Sequence, residues 1–204
     1  KNIFMCGFTG VLSSSKEDIS LEILERMNKT IMHRGPDNSG IHIEAPIGLA
    51  HQRLAILDLT SAGNQPKFSE DKRFVLVYNG EIYNFLDLKS NLIKLGYVFH
   101  SNCDTEVILK AYQEWGPNCF NKFNGMFSCA IWDSKINNLV LARDRYGIKP
   151  LYWYFSEGVF IFGSEIKAIT AHPKFHKEID LHAIKEYFTF QNIFTQKTFF
   201  KGVS

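Results

Sequence analysis

Apolar positions along the chain recur with two periods, and the two are segregated into different stretches. Residues 41–43, 47–50, 74–78, 126–132, 139–143, 151–154 and 159–162 are short apolar or aromatic runs bounded by turn residues, the pattern of strands. Helical spacing marks residues 17–31, where Leu21, Leu24 and Ile31 recur beside Ile23 and Met27. It marks residues 85–95 through Leu88, Leu92 and Leu95, and residues 105–115 through Ile108, Ala111 and Tyr112. Asn137-Asn138 and Glu157-Gly158 each separate two strand-like runs and predict tight antiparallel hairpins. Near-continuous apolar strands interspersed with helices imply sheets covered on their faces, so the pattern predicts a layered α/β (α+β) protein with substantial antiparallel pairing. From residue 188 to 204 the periodicity lapses into Thr, Gln, Asn, Lys and aromatic residues.

Composition narrows the class. With 204 residues and 45% hydrophobic content the chain can bury the core of one domain. A formal charge of +2, with basic residues scattered, offers no footprint for nucleic acid. The apolar runs fall far short of the ~20 residues of a membrane-spanning helix. Cys6, Cys103, Cys119 and Cys129 lack Cys-x-x-Cys spacing and are too few for a disulfide scaffold, which favours a reducing cytoplasm and no metal site.

The most informative chemistry lies at Met5-Cys6-Gly7. A cysteine directly behind a methionine becomes N-terminal when that methionine is excised, and its free α-amine, with a pKa of about 7.7–8.0, can then accept the thiol proton. While residues 1–5 remain attached, the Cys6 nitrogen is an amide without basicity. The leader has one lysine and two apolar residues before Met5, too little for a secretion signal or lipoprotein box. Residues 1–4 are read instead as a cloning or start-site artefact, with Met5 as the true start, and removal of residues 1–5 by a pro-segment cut stays open.

Other candidates are weaker taken singly. Asn79-Gly80 after Tyr78 reads first as a hairpin turn, but an Asn amide and a Gly N–H at a strand end can also form an oxyanion site. Arg53, in His51-Gln52-Arg53-Leu54, is a surface ion-pair residue or a bidentate grip for a carboxylate. His51 is read as a packed strand histidine. Asp104 reads first as the N-cap of the following helix; with Arg53 it would also supply the anion and cation that hold a zwitterion such as an amino acid. His33 to Asp37 and Arg143 to Pro150 match no phosphate loop and are read as buried ion-pair and turn networks.

Together these segments resemble the class II, N-terminal-nucleophile type of glutamine amidotransferase domain, and most closely the glutaminase half of glutamine-hydrolysing asparagine synthetases. The likeness runs through Met5-Cys6-Gly7, residues 33–37, 50–58, Tyr78-Asn79-Gly80-Glu81-Ile82-Tyr83-Asn84, and residues 101–106, 123–132, 143–152 and 163–168. It implies a four-layer α-β-β-α sandwich with largely antiparallel sheets. Residues 1–5 are then a leader, 6–190 the amidotransferase domain, and 191–204 the start of a linker toward a synthetase domain. It also implies Cys6 as nucleophile, Asn79 and Gly80 as oxyanion donors, and Arg53, Glu81 and Asp104, with Asn79 and Gly80, as contacts for L-glutamine. His51-Gln52-Arg53-Leu54-Ala55-Ile56 favours the asparagine-synthetase branch over relatives that feed sugar phosphates. No cofactor or metal is implied for this chain. ATP and Mg belong to the synthetase domain, whose Ser-Gly-Gly-x-Asp-Ser loop the sequence lacks. The acceptor, aspartate or another carboxylate, and homodimerisation stay open. A catalytically silent glutamine-binding or structural domain is the alternative if Cys6 never becomes N-terminal.

Overall fold

Glycines decide where the central strand of the first sheet runs. The structure, a computed structural model, describes residues 5–56 and 59–204, so leader residues 1–4 and Leu57-Asp58 of the 50–58 motif lie outside the described residues. Strand β1 (Gly7–Ser13) is almost wholly buried. A Cβ on Gly7 would come within 2.6 Å of the Arg34 side chain, and one on Gly10 would run into the Phe162 ring. These close approaches require residues without side chains, and they broke the apolar pattern, so no strand was expected here.

The other predicted strands form, mostly longer than their apolar runs: β2 (Asn38–Glu44), β3 (Ile47–Arg53), β5 (Phe74–Ile82), β6 (Gly125–Asp133), β7 (Asn138–Arg143), β8 (Tyr152–Ser156) and β9 (Val159–Gly163). A two-residue strand β4 (Lys67–Phe68) adds an edge that carried no sequence signal. Glu157 and Gly158 both take positive φ (50° and 77°), as a two-residue hairpin turn demands, and Asn137 does so at 49°. Pairing is antiparallel throughout, in the orders β2-β3-β1-β9-β8 and β4-β5-β6-β7.

The helix expected over residues 17–31 is divided. Ser20 is extended and its hydroxyl accepts from the Ile23 N–H, so a short 3-10 turn (Lys16–Ile19) is followed by α1 (Leu21–Thr30). Helices α2 (Phe85–Lys94) and α3 (Asp104–Trp115) fall where expected. Two more, α4 (Ile166–Thr170) and α5 (Leu181–Phe190), lie beyond the helices read from the pattern.

Three apolar clusters define four layers. Helices α2 and α3 cover one sheet through Leu88, Leu92, Ile108 and Tyr112 against Leu76, Tyr78 and Phe127. Helices α1 and α4 cover the other through Leu24, Met27 and Ile169 against Val11 and Ile161. Between the sheets Phe8, Ile47, Leu49, Val75, Val77, Ala130, Trp132 and Phe162 interlock. This is the expected α-β-β-α sandwich. Val203 is buried against the second helical layer, and Ser204 exchanges backbone hydrogen bonds with Trp153 of β8. Among the described residues no helix is long and apolar enough to cross a membrane.

Trp132 is the largest fully buried side chain of the inter-sheet layer. Trp132→Ala is expected to lower unfolding stability by about 3–5 kcal/mol. Urea denaturation checks it; a loss under about 1 kcal/mol would mean that the two sheets do not share this core.

Candidate active site

Strand parity carries the reactive positions to one end of the inter-sheet layer. Val75 and Val77 of β5 face the opposite sheet, so Asn79 follows them onto the same face. Ile47 and Leu49 place His51 and Arg53 on the matching face of β3, and Phe8 of β1 has Cys6 two residues before it. A small cavity of about 60 Å³ opens where these strands end, lined by Cys6, Arg53, Gly80 and Asp104 together with Gln65 and Tyr78.

The Cys6 thiol donates to the Leu54 carbonyl at 3.4 Å and accepts from the Leu54 N–H at 3.3 Å. Burial holds its pKa above the ordinary thiol value; the Leu54 N–H and the Arg53 and Arg34 guanidinium groups pull it down less, and Asp104 adds to the rise. A thiol in this setting needs a base. His51 does not provide one: it is fully buried with Nε2 3.0 Å from the Tyr78 carbonyl oxygen, and burial depresses it to about 4. The reading of His51 as a packed strand residue holds.

Asn79-Gly80 is not a hairpin turn. Both residues lie inside β5, paired with Ser128 and Phe127 of β6. Asn79 is 2% exposed, and its Nδ2 is buried without a hydrogen-bond partner among the described residues. Such an orphan donor costs stability unless a ligand oxygen completes it. At Gly80 a Cβ would run into the Met126 carbonyl oxygen and lie 2.7 Å from the Phe127 Cα. Only glycine fits, which keeps backbone, not side chain, at the cavity wall.

Arg53 is 6% exposed, which rules out a surface ion-pair role. Its Nη1 donates to the Thr60 carbonyl and to Asn64 Oδ1, both at 2.7 Å, fixing the guanidinium in the cavity wall. Asp104 is the first residue of α3, and the N-cap position belongs to Cys103, so the capping expectation is overturned. One carboxylate oxygen instead accepts from Tyr78 Oη at 2.7 Å and from the Ile82 N–H at 3.1 Å, tying α3 to β5. The other accepts from the Cys103 thiol at 3.7 Å, and the Thr105 N–H also bonds the carboxylate. Burial raises the Asp104 pKa, with the Tyr78 and Ile82 donors opposing. A fixed guanidinium and a buried carboxylate thus line one cavity, one charge of each sign. Neither Asn79 nor Glu81 is among the residues that line this cavity: they flank Gly80 on β5, Asn79 buried opposite Ser128 and Glu81 half-buried opposite Met126.

Two segments read as structural networks are so. Arg34 donates through Nη1 to Glu165 at 2.9 Å. Asp144 accepts from the N–H groups of Phe127, Tyr146, Ile148 and Lys149 at 3.0–3.2 Å, which locks the turn after β7. One reaches the nucleophile and the other the residue before it. Arg34 Nε donates to the Cys6 carbonyl at 2.9 Å, and Lys149 Nζ meets Met5 Sδ at 2.9 Å. Gln65 was missed entirely: its amide exchanges hydrogen bonds with the Tyr78 backbone, the N–H donating at 2.6 Å and the carbonyl accepting at 3.2 Å. A lone Gln before a proline carries no signal for that. The four cysteines are free thiols, and among the described residues no group of three or more His, Cys, Asp or Glu could hold a metal ion.

The sequence profile of a glutamine amidotransferase domain matches residues 5–204. The chain is 43% identical over 204 residues to a putative glutamine-hydrolysing asparagine synthetase 2 of Methanocaldococcus jannaschii, covering 90% of this chain and 39% of that protein. It is 39% identical over 203 residues to glutamine-hydrolysing asparagine synthetase 3 of Bacillus subtilis, covering 98% of this chain and 33% of that protein. The chain thus spans between a third and two-fifths of the length of these relatives. Among solved structures, the glutamine phosphoribosylpyrophosphate amidotransferase of B. subtilis superposes with a TM-score of 0.70 at 19% identity over 86% of this chain and 45% of that one. At that identity the likeness is one of fold.

Proposed function

The chain belongs to the glutamine amidotransferase domain family, and we propose that it hydrolyses the side-chain amide of glutamine through a thioester on Cys6. The observation that carries this reading is the single cavity shared by Cys6, Arg53, Gly80 and Asp104. Arg53 takes the α-carboxylate of glutamine and Asp104 its α-ammonium, which leaves the side-chain carbonyl to extend toward Sγ. Once Met5 is removed, the α-amine of Cys6 accepts the thiol proton as sulfur bonds to the carbonyl carbon. The developing oxyanion rests on Asn79 Nδ2 and the Gly80 N–H. The ammonium of Cys6 then protonates the departing nitrogen, and ammonia leaves as the thioester forms. Water, deprotonated by the same amine, cleaves the thioester to glutamate and restores the thiol.

The ammonia is consumed, in this reading, by an ATP- and Mg-dependent synthetase domain of the same polypeptide. Because the relatives carry the name asparagine synthetase, aspartate is the proposed acceptor and the cytoplasm the proposed location. The test is release of glutamate and ammonia in equal amounts from glutamine by the chain with Cys6 first. Release of neither would overturn the reading.

Asn79→Ala removes the one side-chain oxyanion donor. It is expected to lower kcat by about 10²–10³-fold with little change in KM, because the orphan Nδ2 finds its partner only as charge develops on the oxygen. Steady-state kinetics check it, and a rise in KM at unchanged kcat would reassign Asn79 to ground-state binding.

A silent state is supported by a separate observation. In the chain as described Met5 is held in place, its N–H donating to the Arg34 carbonyl at 2.9 Å and its sulfur against Lys149. With Met5 so held, the cavity can bind glutamine while the nucleophile lacks its base.

A further inference from the structure

Lys149 has an unusual position for a lysine. It is 6% exposed, and among the described residues its ammonium forms no ion pair with a carboxylate. Its hydrogen-bond acceptor is the thioether of Met5, a weak one. A buried ammonium so poorly paired is costly, yet the backbone leaves it little freedom. The Lys149 N–H donates to Asp144 at 3.0 Å, its carbonyl accepts from Arg143 Nε at 2.8 Å, and Asp144 also accepts from Phe127, the β6 neighbour of Gly80. The turn therefore holds the cation beside the nucleophile, and its contact is with the residue whose departure frees the Cys6 amine.

We propose that Lys149 is a positioning residue: after Met5 leaves, its ammonium faces the new α-amine of Cys6 and keeps that amine neutral and able to accept a proton. This rests on the nucleophile reading above. Two cations in one buried space repel, so the second proton is held less tightly, while a thiolate at Sγ is favoured by the same charge. The charged groups around Cys6 come from every neighbouring element. Arg34 from the turn after α1 and Arg53 from β3 act in the same direction as Lys149. Asp104 from α3 acts against it at the thiol, Glu165 does so through its pairing with Arg34, and Glu81 from β5 acts on Lys149 itself. The interaction is mutual: Lys149 itself is pulled below its ordinary value, first by burial and then by Arg34, with Cys6, Glu81 and Asp144 opposing.

The test compares Lys149→Met and Lys149→Arg with the unsubstituted chain, all beginning at Cys6. It follows the pH dependence of kcat/KM for glutamine and, in parallel, of Cys6 alkylation by iodoacetamide. In Lys149→Met the acid limb of both profiles is expected to move up by about one pH unit, with the high-pH plateau retained within several-fold, and Lys149→Arg is expected to keep the original limb. Lys149→Gln replaces the methionine variant should that one fail to fold. A limb that stays in place in an active Lys149→Met enzyme, or that moves equally in Lys149→Arg, overturns the proposal. If the unsubstituted chain hydrolyses no glutamine, the nucleophile reading fails instead, and the alkylation limb decides the lysine by the same criterion.

Discussion

Cys6→Ala, introduced in the chain that begins at residue 6, is expected to reduce glutamine hydrolysis by about 10⁴-fold or more while glutamine still binds. The two effects separate because they depend on different side chains. Arg53 and Asp104 hold the amino-acid end, and both are anchored by contacts that do not involve the thiol: Thr60 and Asn64 for the arginine, Tyr78 and Ile82 for the aspartate. Ground-state affinity is therefore retained. The bond from sulfur to carbon exists only along the reaction path, so its loss falls on kcat. Alanine forfeits two long contacts with Leu54 and little packing, which keeps the variant folded. Titration calorimetry with glutamine, beside an assay of released glutamate, measures both. Activity within tenfold of the unsubstituted chain would remove Cys6 from the reaction.

Leaving Met5 attached is expected to cost about 10²–10⁴-fold in rate, the usual contribution of a positioned general base. No other group near the thiol can take its proton. Burial raises the Cys6 pKa, so at neutral pH the sulfur stays protonated unless a base takes the proton as the bond forms. His51 is committed to the Tyr78 carbonyl and sealed in the core, Asp104 is held by Tyr78 and Ile82 and reserved in this reading for the ammonium of glutamine, and Lys149 and the arginines are cations. The α-amine is the remaining group, and an amide nitrogen cannot replace it. For the chain starting at Cys6, the neutral amine is the active form, so the rate rises with pH through the amine pKa and falls below it. With Met5 retained, that limb disappears along with the rate. Initial rates on two preparations whose N-terminal masses are verified decide the matter; equal rates would show that another group supplies the base.

Most strands were legible because a residue buried between a sheet and a helix layer, or between two sheets, must be apolar, and that requirement writes itself into short runs. Where a strand instead needs close backbone approach, the same burial selects glycine and the run is broken, as at Gly7 and Gly10 of β1. Ser20 shows a different failure. The apolar spacing across residues 17–31 is genuine, but a hydroxyl competing for a backbone N–H restarts the helix there. At the site, Asn79-Gly80 was ambiguous because the same dipeptide serves a turn and a strand, and only pairing with β6 separates them. Asp104 misled for a related reason: an acidic residue at a helix start usually serves that helix, whereas here its carboxylate serves β5.

By itself the sequence determined which chemical groups are present and in what order: a thiol behind a methionine, an amide beside a glycine, one guanidinium and one carboxylate suited to a zwitterion. It also determined that the sheets are covered on their faces, since periodicity reflects only which face of each element avoids water, whereas the four-layer order came from the family resemblance. The tertiary structure decided which of these groups meet. Cys6, Arg53, Gly80 and Asp104 share one cavity because antiparallel pairing and parity bring separate strand ends together, and α3 is tied to the same end through Tyr78. It decided too that Asn79 and Glu81 flank the cavity wall at Gly80 without lining it and that Lys149 enters the neighbourhood of Cys6. The physical reason is that reactivity depends on burial and on nearby charge, and both are set by residues distant in the chain. A thiol raised by desolvation, a histidine depressed to about 4 and an amide left without a partner are properties of the packed sheets, with no counterpart in the linear order of residues.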